Sequence, residues 1–323
     1  MGSGRWDTNV YDAAKSYRAA TGTSAFAYSD SGARDAHPTL DPLGVDVRES
    51  RDSDEHPRST AIAVLFDVTG SMGHVPRTLQ TKLPELFGLL LRKGYVTDPQ
   101  ILFGAVGDAT CDRVPLQIGQ FESDNRMDDH LANIVLEGGG GGQRTESYEL
   151  AMYFMARHTS LDCYDKRGRK GYLFLIGDEM PYAGVKPKEV KQVVGDKLAE
   201  PVPVAAIVAE LRQRYEVYYI LPTGSAYAGD TEILGYWRGL LGQNVIQLDD
   251  LDAVCETIAL TVGLGEEAID LAEGLADLAD VGSDAGEVVG RALATLGTGR
   301  GAVVRGGLGA ADLAGPTGAV ERL

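Results

Sequence analysis

Five apolar runs, at 61–66, 101–107, 171–176, 216–221 and 244–248, constrain the fold of this chain more than any other feature. None alternates strictly between apolar and polar residues. A strand with one face in water reads as an alternation. A strand covered on both faces reads as a continuous apolar run, rich in β-branched and aromatic residues. The runs therefore predict a largely parallel sheet between two helical layers. The segments between them carry helical signals. Leu79, Leu83, Leu86, Phe87, Leu90 and Leu91 form one apolar stripe at helical spacing. Pro76 suits the first turn of that helix, and Pro84 is expected to kink it or force a local adjustment. Further helices are expected at 146–157, 187–198, 202–214 and 231–241. Strand–helix alternation of this kind implies an α/β fold: a doubly wound, mostly parallel sheet with helices on both faces, Rossmann-like in its winding.

Texture divides the 323 residues into three parts. Residues 1–58 are polar and mixed, with one short helix expected at 10–20 and then a stretch rich in Asp, Ser, Pro and Gly, which reads as an extended arm. Residues 59–262 hold the apolar runs. Residues 263–323 are acidic and rich in Gly and Ala; helices are expected at 268–281 and 286–296, and the glycine-rich end reads as a helical or disordered tether.

Charge and cysteine usage exclude several classes. The net charge is −17 and the pI about 4.7. Binding to nucleic acid needs a basic face, so nucleic acid is not expected as a partner. The cysteine count is odd, with Cys111, Cys163 and Cys255 far apart and no CxxC. That pattern reads as reduced thiols of a cytoplasmic protein, not a disulfide frame or a zinc site. The first residues lack the apolar core of a secretory signal, and no window approaches the ~18 apolar residues of a membrane span.

The stretch "LFDVTGSM" (65–72) ends the first apolar run with Asp67, followed by Thr69 and Ser71 at alternate positions. In an open parallel sheet, ligands bind beyond the carboxyl ends of the strands, at a topological switch point. Two further pieces fall at comparable places. "GGGGGQRTE" (138–146) offers Thr145 at the mouth of a helix, and "LFLIGDEMP" (173–181) offers Asp178 after another run. A helix cap needs one such residue; the chain offers five. Carboxylates with hydroxyls are hard ligands, suited to Mg²⁺, Mn²⁺ or Ca²⁺. His74 lies close by in "GSMGHVP" but outside the pattern and reads as a bystander. Asp108, ending the second run in "AVGDAT", is either a support for the ligands or a solvated loop acid.

With these pieces in order, residues 59–262 resemble a von Willebrand factor type A domain of the bacterial intracellular type. The family's D-x-[ST]-x-S pattern is met by "DVTGS", its distal threonine by "GGQRTE" and its late aspartate by "IGDEMP". The resemblance implies a metal-ion-dependent adhesion site. Thr69, Ser71 and Thr145 would ligate the metal, and Asp67 and Asp178 would bind it directly or through water. A partner's Asp or Glu would fill the remaining position. It implies a binding module rather than an enzyme, with Mg²⁺ favoured by its abundance over Ca²⁺ or Mn²⁺. Family context adds a role as an adaptor beside a MoxR-type AAA+ ATPase. One departure is Glu179, where relatives often carry glycine after the late aspartate.

A metal-dependent phosphohydrolase of haloacid-dehalogenase-like type, with Asp67 as nucleophile, is the alternative. It is opposed by Thr69 standing where the general acid of D-x-D belongs and by Tyr182 at the last acid of G-D-x-x-x-D. A P-loop, a Rossmann GxGxxG after the first run and a GxSxG elbow are all absent from the sequence.

Overall fold

The computed structural model describes residues 4–72, 75–138, 144–223, 225–227 and 229–301, and of Ser71 it describes the backbone. The central sheet has six strands: β1 (Ser59–Asp67), β2 (Asp98–Val106), β3 (Leu116–Ile118), β4 (Gly171–Ile176), β5 (Tyr215–Pro222) and β6 (Val245–Leu248). Their spatial order is β6-β5-β4-β1-β2-β3, and all pairs are parallel except β2–β3. The chain is thus a doubly wound α/β protein. β2 lies on one side of β1 and β4 on the other, so the winding reverses at the β1/β4 boundary.

Successive residues of β1 explain why its sequence does not alternate. Ile62, Val64 and Phe66 belong to one apolar core, while Ala61, Ala63 and Leu65 belong to the other. The first core is closed by α2 (Val75–Phe87), α6 (Val254–Gly265), α7 (Leu271–Asp280) and α8 (Gly286–Gly301). The second is closed by α3 (Tyr148–Arg157), α4 (Val204–Arg214) and α5 (Thr231–Leu241). Helix α2 continues through position 84 and then widens into a π-helical turn, Gly88–Arg92. Helix α3 is buried from Tyr148 to Met155 rather than along one stripe. Its position between the sheet and α4 accounts for this.

The arm lies against the domain. Helix α1 (Thr8–Thr21) is anchored by Tyr11 and by an Arg18–Asp128 ion pair of 2.9 Å. Leu40 is fully buried, and its carbonyl accepts from the Ile118 N–H at 2.7 Å, covering the outer edge of β3. A short strand, Arg48–Ser50, pairs in parallel with Thr159–Leu161. After β6, α6 is mostly apolar, with Glu256, Thr257 and Thr261 as its buried polar residues. Leu278 of α7 and Val289 and Leu293 of α8 are buried with it, so this part of the 263–323 region is folded. The end of that region, 302–323, lies outside the described residues. None of the three cysteines is in a disulfide, and among the described residues no helix is long and apolar enough to cross a membrane.

Candidate metal centre

Asp67 is the last residue of β1 and lies on the same side of the strand as Leu65, facing α3. Its carboxylate is fully buried. Oδ1 accepts from both the backbone N–H and the hydroxyl of Thr69, each at 2.7 Å, and Oδ2 accepts from the Tyr148 hydroxyl at 3.1 Å. The chain then turns through a single 3₁₀ turn, Gly70–Met72, which contains Ser71. His74 lies outside the described residues.

Asp178 follows β4, whose Ile176 pairs with Phe66 of β1. Asp67 and Asp178 therefore leave adjacent strands at the reversal point of the sheet. Both are fully buried, and the negative charge of Asp178 acts on Asp67. Asp178 Oδ2 accepts from the Tyr227 N–H at 3.2 Å. Between the two aspartates Gly177 is required: a Cβ there would fall 1.8 Å from the Tyr148 hydroxyl oxygen.

Thr145 arrives from the far side of the glycine run. With Glu146 it forms a two-residue strand paired in parallel with Met180–Pro181, so Thr145 stands opposite Met180, two residues after Asp178. Arg144 fixes this segment from the other direction through ion pairs with Asp230, the N-cap of α5, and with Glu232 at 3.1 Å. The structure thus gathers Asp67, Thr69, Thr145 and Asp178, with the Ser71 backbone, along one edge of the sheet.

Asp108 is not a solvated loop acid. It is buried, its Oδ2 accepts from the Tyr182 hydroxyl at 2.9 Å, and that hydroxyl lies 3.3 Å from Thr110 Oγ1. Asp108 accordingly fixes the Tyr182 side chain, which acts on Thr145. Beneath the Asp178 loop, Trp237 stacks on Tyr219 at 3.9 Å, and the Glu179 carbonyl accepts from Trp237 Nε1 and from the Tyr219 hydroxyl at 2.8 and 3.1 Å. Tyr148 meets both rings edge-on.

The electrostatics are dominated by unneutralised acid. Burial pushes Asp67 up to about 6; hydrogen bonds from Thr69 oppose the rise and Asp178 adds to it. Glu146 is pushed up to about 10 by burial and then by Asp67 and Glu179, and Glu179 up to about 8 by burial and then by Asp67 and Asp178. One carboxylate oxygen of each of these glutamates, Oε2, is buried without a hydrogen-bond partner among the described residues. No lysine or arginine of the described residues forms an ion pair with Asp67, Glu146 or Glu179. The donor chemistry, carboxylates and hydroxyls lacking a counter-charge, fits a hard divalent cation. Among the described residues no group of three or more His, Cys, Asp or Glu side chains is arranged as a metal site. The set here has two carboxylates and draws its remaining oxygens from hydroxyls.

Sequence reading gave Tyr148 and Glu146 no part in the site, and met Tyr182 only as a departure from the phosphohydrolase pattern. The available signal was position: Glu146 is the neighbour of Thr145, and Tyr148 opens α3 just after it.

No known family model matches the sequence, and no curated protein matches it. Among solved structures, the chain is similar to the pilus adhesin SpaC from Lactobacillus rhamnosus GG in its open conformation. The TM-score is 0.47 at 9% identity, covering 69% of this chain and 31% of that one. It is also similar to proximal thread matrix protein 1 from the mussel byssus, with a TM-score of 0.41 at 12% identity, covering 63% of this chain and 47% of that one. The chain spans less than half the length of either protein.

Proposed function

We propose that the chain is a von Willebrand factor type A-like module that captures a protein partner through a divalent cation. The observation that carries this reading is the convergence, at the reversal point of the sheet, of Asp67 and Asp178 from adjacent strands. The Thr145 segment is laid against the continuation of the Asp178 loop. Asp67, Thr69, Ser71, Thr145 and Asp178 would hold the ion. Mg²⁺ is preferred, and Ca²⁺ and Mn²⁺ suit the same oxygens. Once bound, the cation supplies the positive charge and Lewis acidity that attract an anionic oxygen. The chain's own residues do the positioning. Thr69 and Tyr148 fix the Asp67 carboxylate, and the pairing of Thr145 with Met180 holds the threonine beside the Asp178 loop. The neutral hydroxyl ligands leave the ion electrophilic enough to take an Asp or Glu side chain from the partner. On this reading the protein is a non-enzymatic, cytoplasmic adaptor, and a MoxR-type AAA+ ATPase is the class of assembly it would serve.

The test is a pull-down of the full chain with and without EDTA, in parallel with Asp67→Ala. The same samples are assayed for hydrolysis of p-nitrophenyl phosphate. A partner lost both with EDTA and with the variant, and no hydrolysis, supports the proposal. A partner retained in both removes this site from the interaction. Mg²⁺-dependent hydrolysis abolished by Asp67→Ala moves the site to the phosphohydrolase class.

A further inference from the structure

We infer that the cavity at the amino ends of β1, β2 and β4 binds a phosphate-type oxyanion. The observation is a local reversal of charge. The chain carries −17 overall, yet a cavity of ≈ 90 Å³ is lined by Arg58, Arg167, Arg169 and Lys170, with Glu266 as its one carboxylate among the described residues. The cations come from two distant segments. Arg58 directly precedes β1, and the other three lie in the turn that leads into β4. Gly168, at φ 65°, bends that turn, and the Arg169 N–H is held on the Cys163 carbonyl at 2.9 Å. Arg167 and Arg169 therefore line the same cavity from either side of the bend.

The partners these cations already have leave donors to spare. Arg167 pairs with Asp52 at 2.6 Å, Arg169 with Glu266 at 2.6 Å and Lys170 with Glu216 at 3.2 Å. Asp52 and Glu216 stand outside the lining, and Asp52 is shared with Lys166 at 3.4 Å. Lys166 in turn pairs with Asp162 at 2.7 Å. Glu266 is further occupied by the Tyr172 hydroxyl at 2.9 Å. Arg58 is exposed, and its guanidinium meets no acid and no hydrogen-bond acceptor among the described residues. Arg169 is half-exposed and commits one Nη to Glu266. Thr60 and Thr97 add hydroxyls to the same lining. Guanidinium and ammonium groups only donate, so the occupant must accept. Donors arriving from separate segments suit an anion that accepts in several directions, and guanidinium forks match phosphate oxygens in pairs. The cavity is small, so it takes the phosphoryl group itself and leaves any larger body in solvent. The cations are gathered at one cavity and not spread along a face, which separates this site from a nucleic-acid surface. This inference is independent of the metal site, which lies at the carboxyl ends of the strands.

Isothermal titration of the full chain with sodium phosphate tests it, in EDTA so that no metal-bound phosphate is read, and with sodium chloride holding the ionic strength constant. One saturable phosphate site per chain is expected, with affinity falling at least tenfold in Arg58→Gln and several-fold in Arg169→Gln. Arg58 holds no ion pair, so its variant keeps the test decisive if Arg169→Gln fails to fold. Methyl phosphate, titrated in parallel, separates the two sources of the group: binding as tight as that of phosphate assigns a monoester, no binding assigns free phosphate, and either supports the proposal. Absence of saturable phosphate binding overturns it. So does chloride competing as well as phosphate, or an affinity unchanged in Arg58→Gln.

Discussion

Asp67 is held before anything binds to it. Two hydrogen bonds from Thr69 and one from Tyr148 set the direction of its carboxylate, so a cation would meet ligands already in place. Gly177 is part of the same device, because the Tyr148 hydroxyl occupies the space of its missing side chain. Gly177→Ala is expected to cost about 1–3 kcal/mol in urea unfolding through overpacking. Adding Tyr148→Phe should recover part of that loss, since the hydroxyl oxygen is the nearest clash; no recovery would place the strain elsewhere. Glu149 offers a pH test away from the proposed ligands. Burial first, against hydrogen bonds from its own backbone and from the Tyr182 N–H, leaves its acid raised from 4.5 to about 8. A carboxyl with a raised folded-state pKa binds more protons folded than unfolded. Its contribution is therefore fully present below about 4.5 and is lost as pH climbs towards 8. Glu149→Gln should flatten stability between pH 5 and 8, with the variant gaining on the parent at the alkaline end; parallel profiles would contradict this.

At the scale of elements, the site exists because β1 and β4 are neighbours while their connections run to opposite sides of the sheet. The parallel strands were legible in the sequence because burial on both faces writes a continuous apolar run, as in β1, where neighbouring residues serve opposite cores. Strand β3 was not legible. It has three residues, runs antiparallel at the edge, and is too short to carry a period. The Thr145–Glu146 pairing with Met180–Pro181 was illegible for the same reason, although it is what carries Thr145 to the rim. Helix α7 was visible as periodic leucines and α8 as a helix expected at 286–296, but their docking on α6 was not, because Gly/Ala-rich composition reads equally well as solvated tail. That docking has a measurable weight. Leu278 and Leu293 are fully buried, so Leu278→Ala or Leu293→Ala should destabilise the whole chain by about 2–5 kcal/mol in a single urea transition. A change under about 0.5 kcal/mol, the size expected of a surface site, would mean the tail helices stand apart from the core.

Across the whole molecule, part of the acid of a chain with formal net charge −17 is gathered at one rim of the sheet, where Asp67, Glu146, Asp178 and Glu179 are all buried. Burial and then the neighbouring carboxylates hold Glu146 and Glu179 protonated near neutral pH, and an entering cation relieves that opposition. Binding to the folded chain alone must then raise stability, by about 2.7 kcal/mol at a hundredfold excess over the dissociation constant. Mg²⁺ should accordingly raise the melting temperature of the parent and leave Asp67→Ala unmoved. The central claim is narrower than any partner or pathway: oxygens from distant parts of the chain form one divalent-cation site. Titration of the metal-free full chain with Mn²⁺, following the free ion by its paramagnetic resonance signal, reads that claim directly. The account predicts one Mn²⁺ bound per chain, displaced by Mg²⁺ and lost in both Asp67→Ala and Thr145→Ala. A parent chain that leaves all Mn²⁺ free, or variants that bind as the parent does, would contradict it.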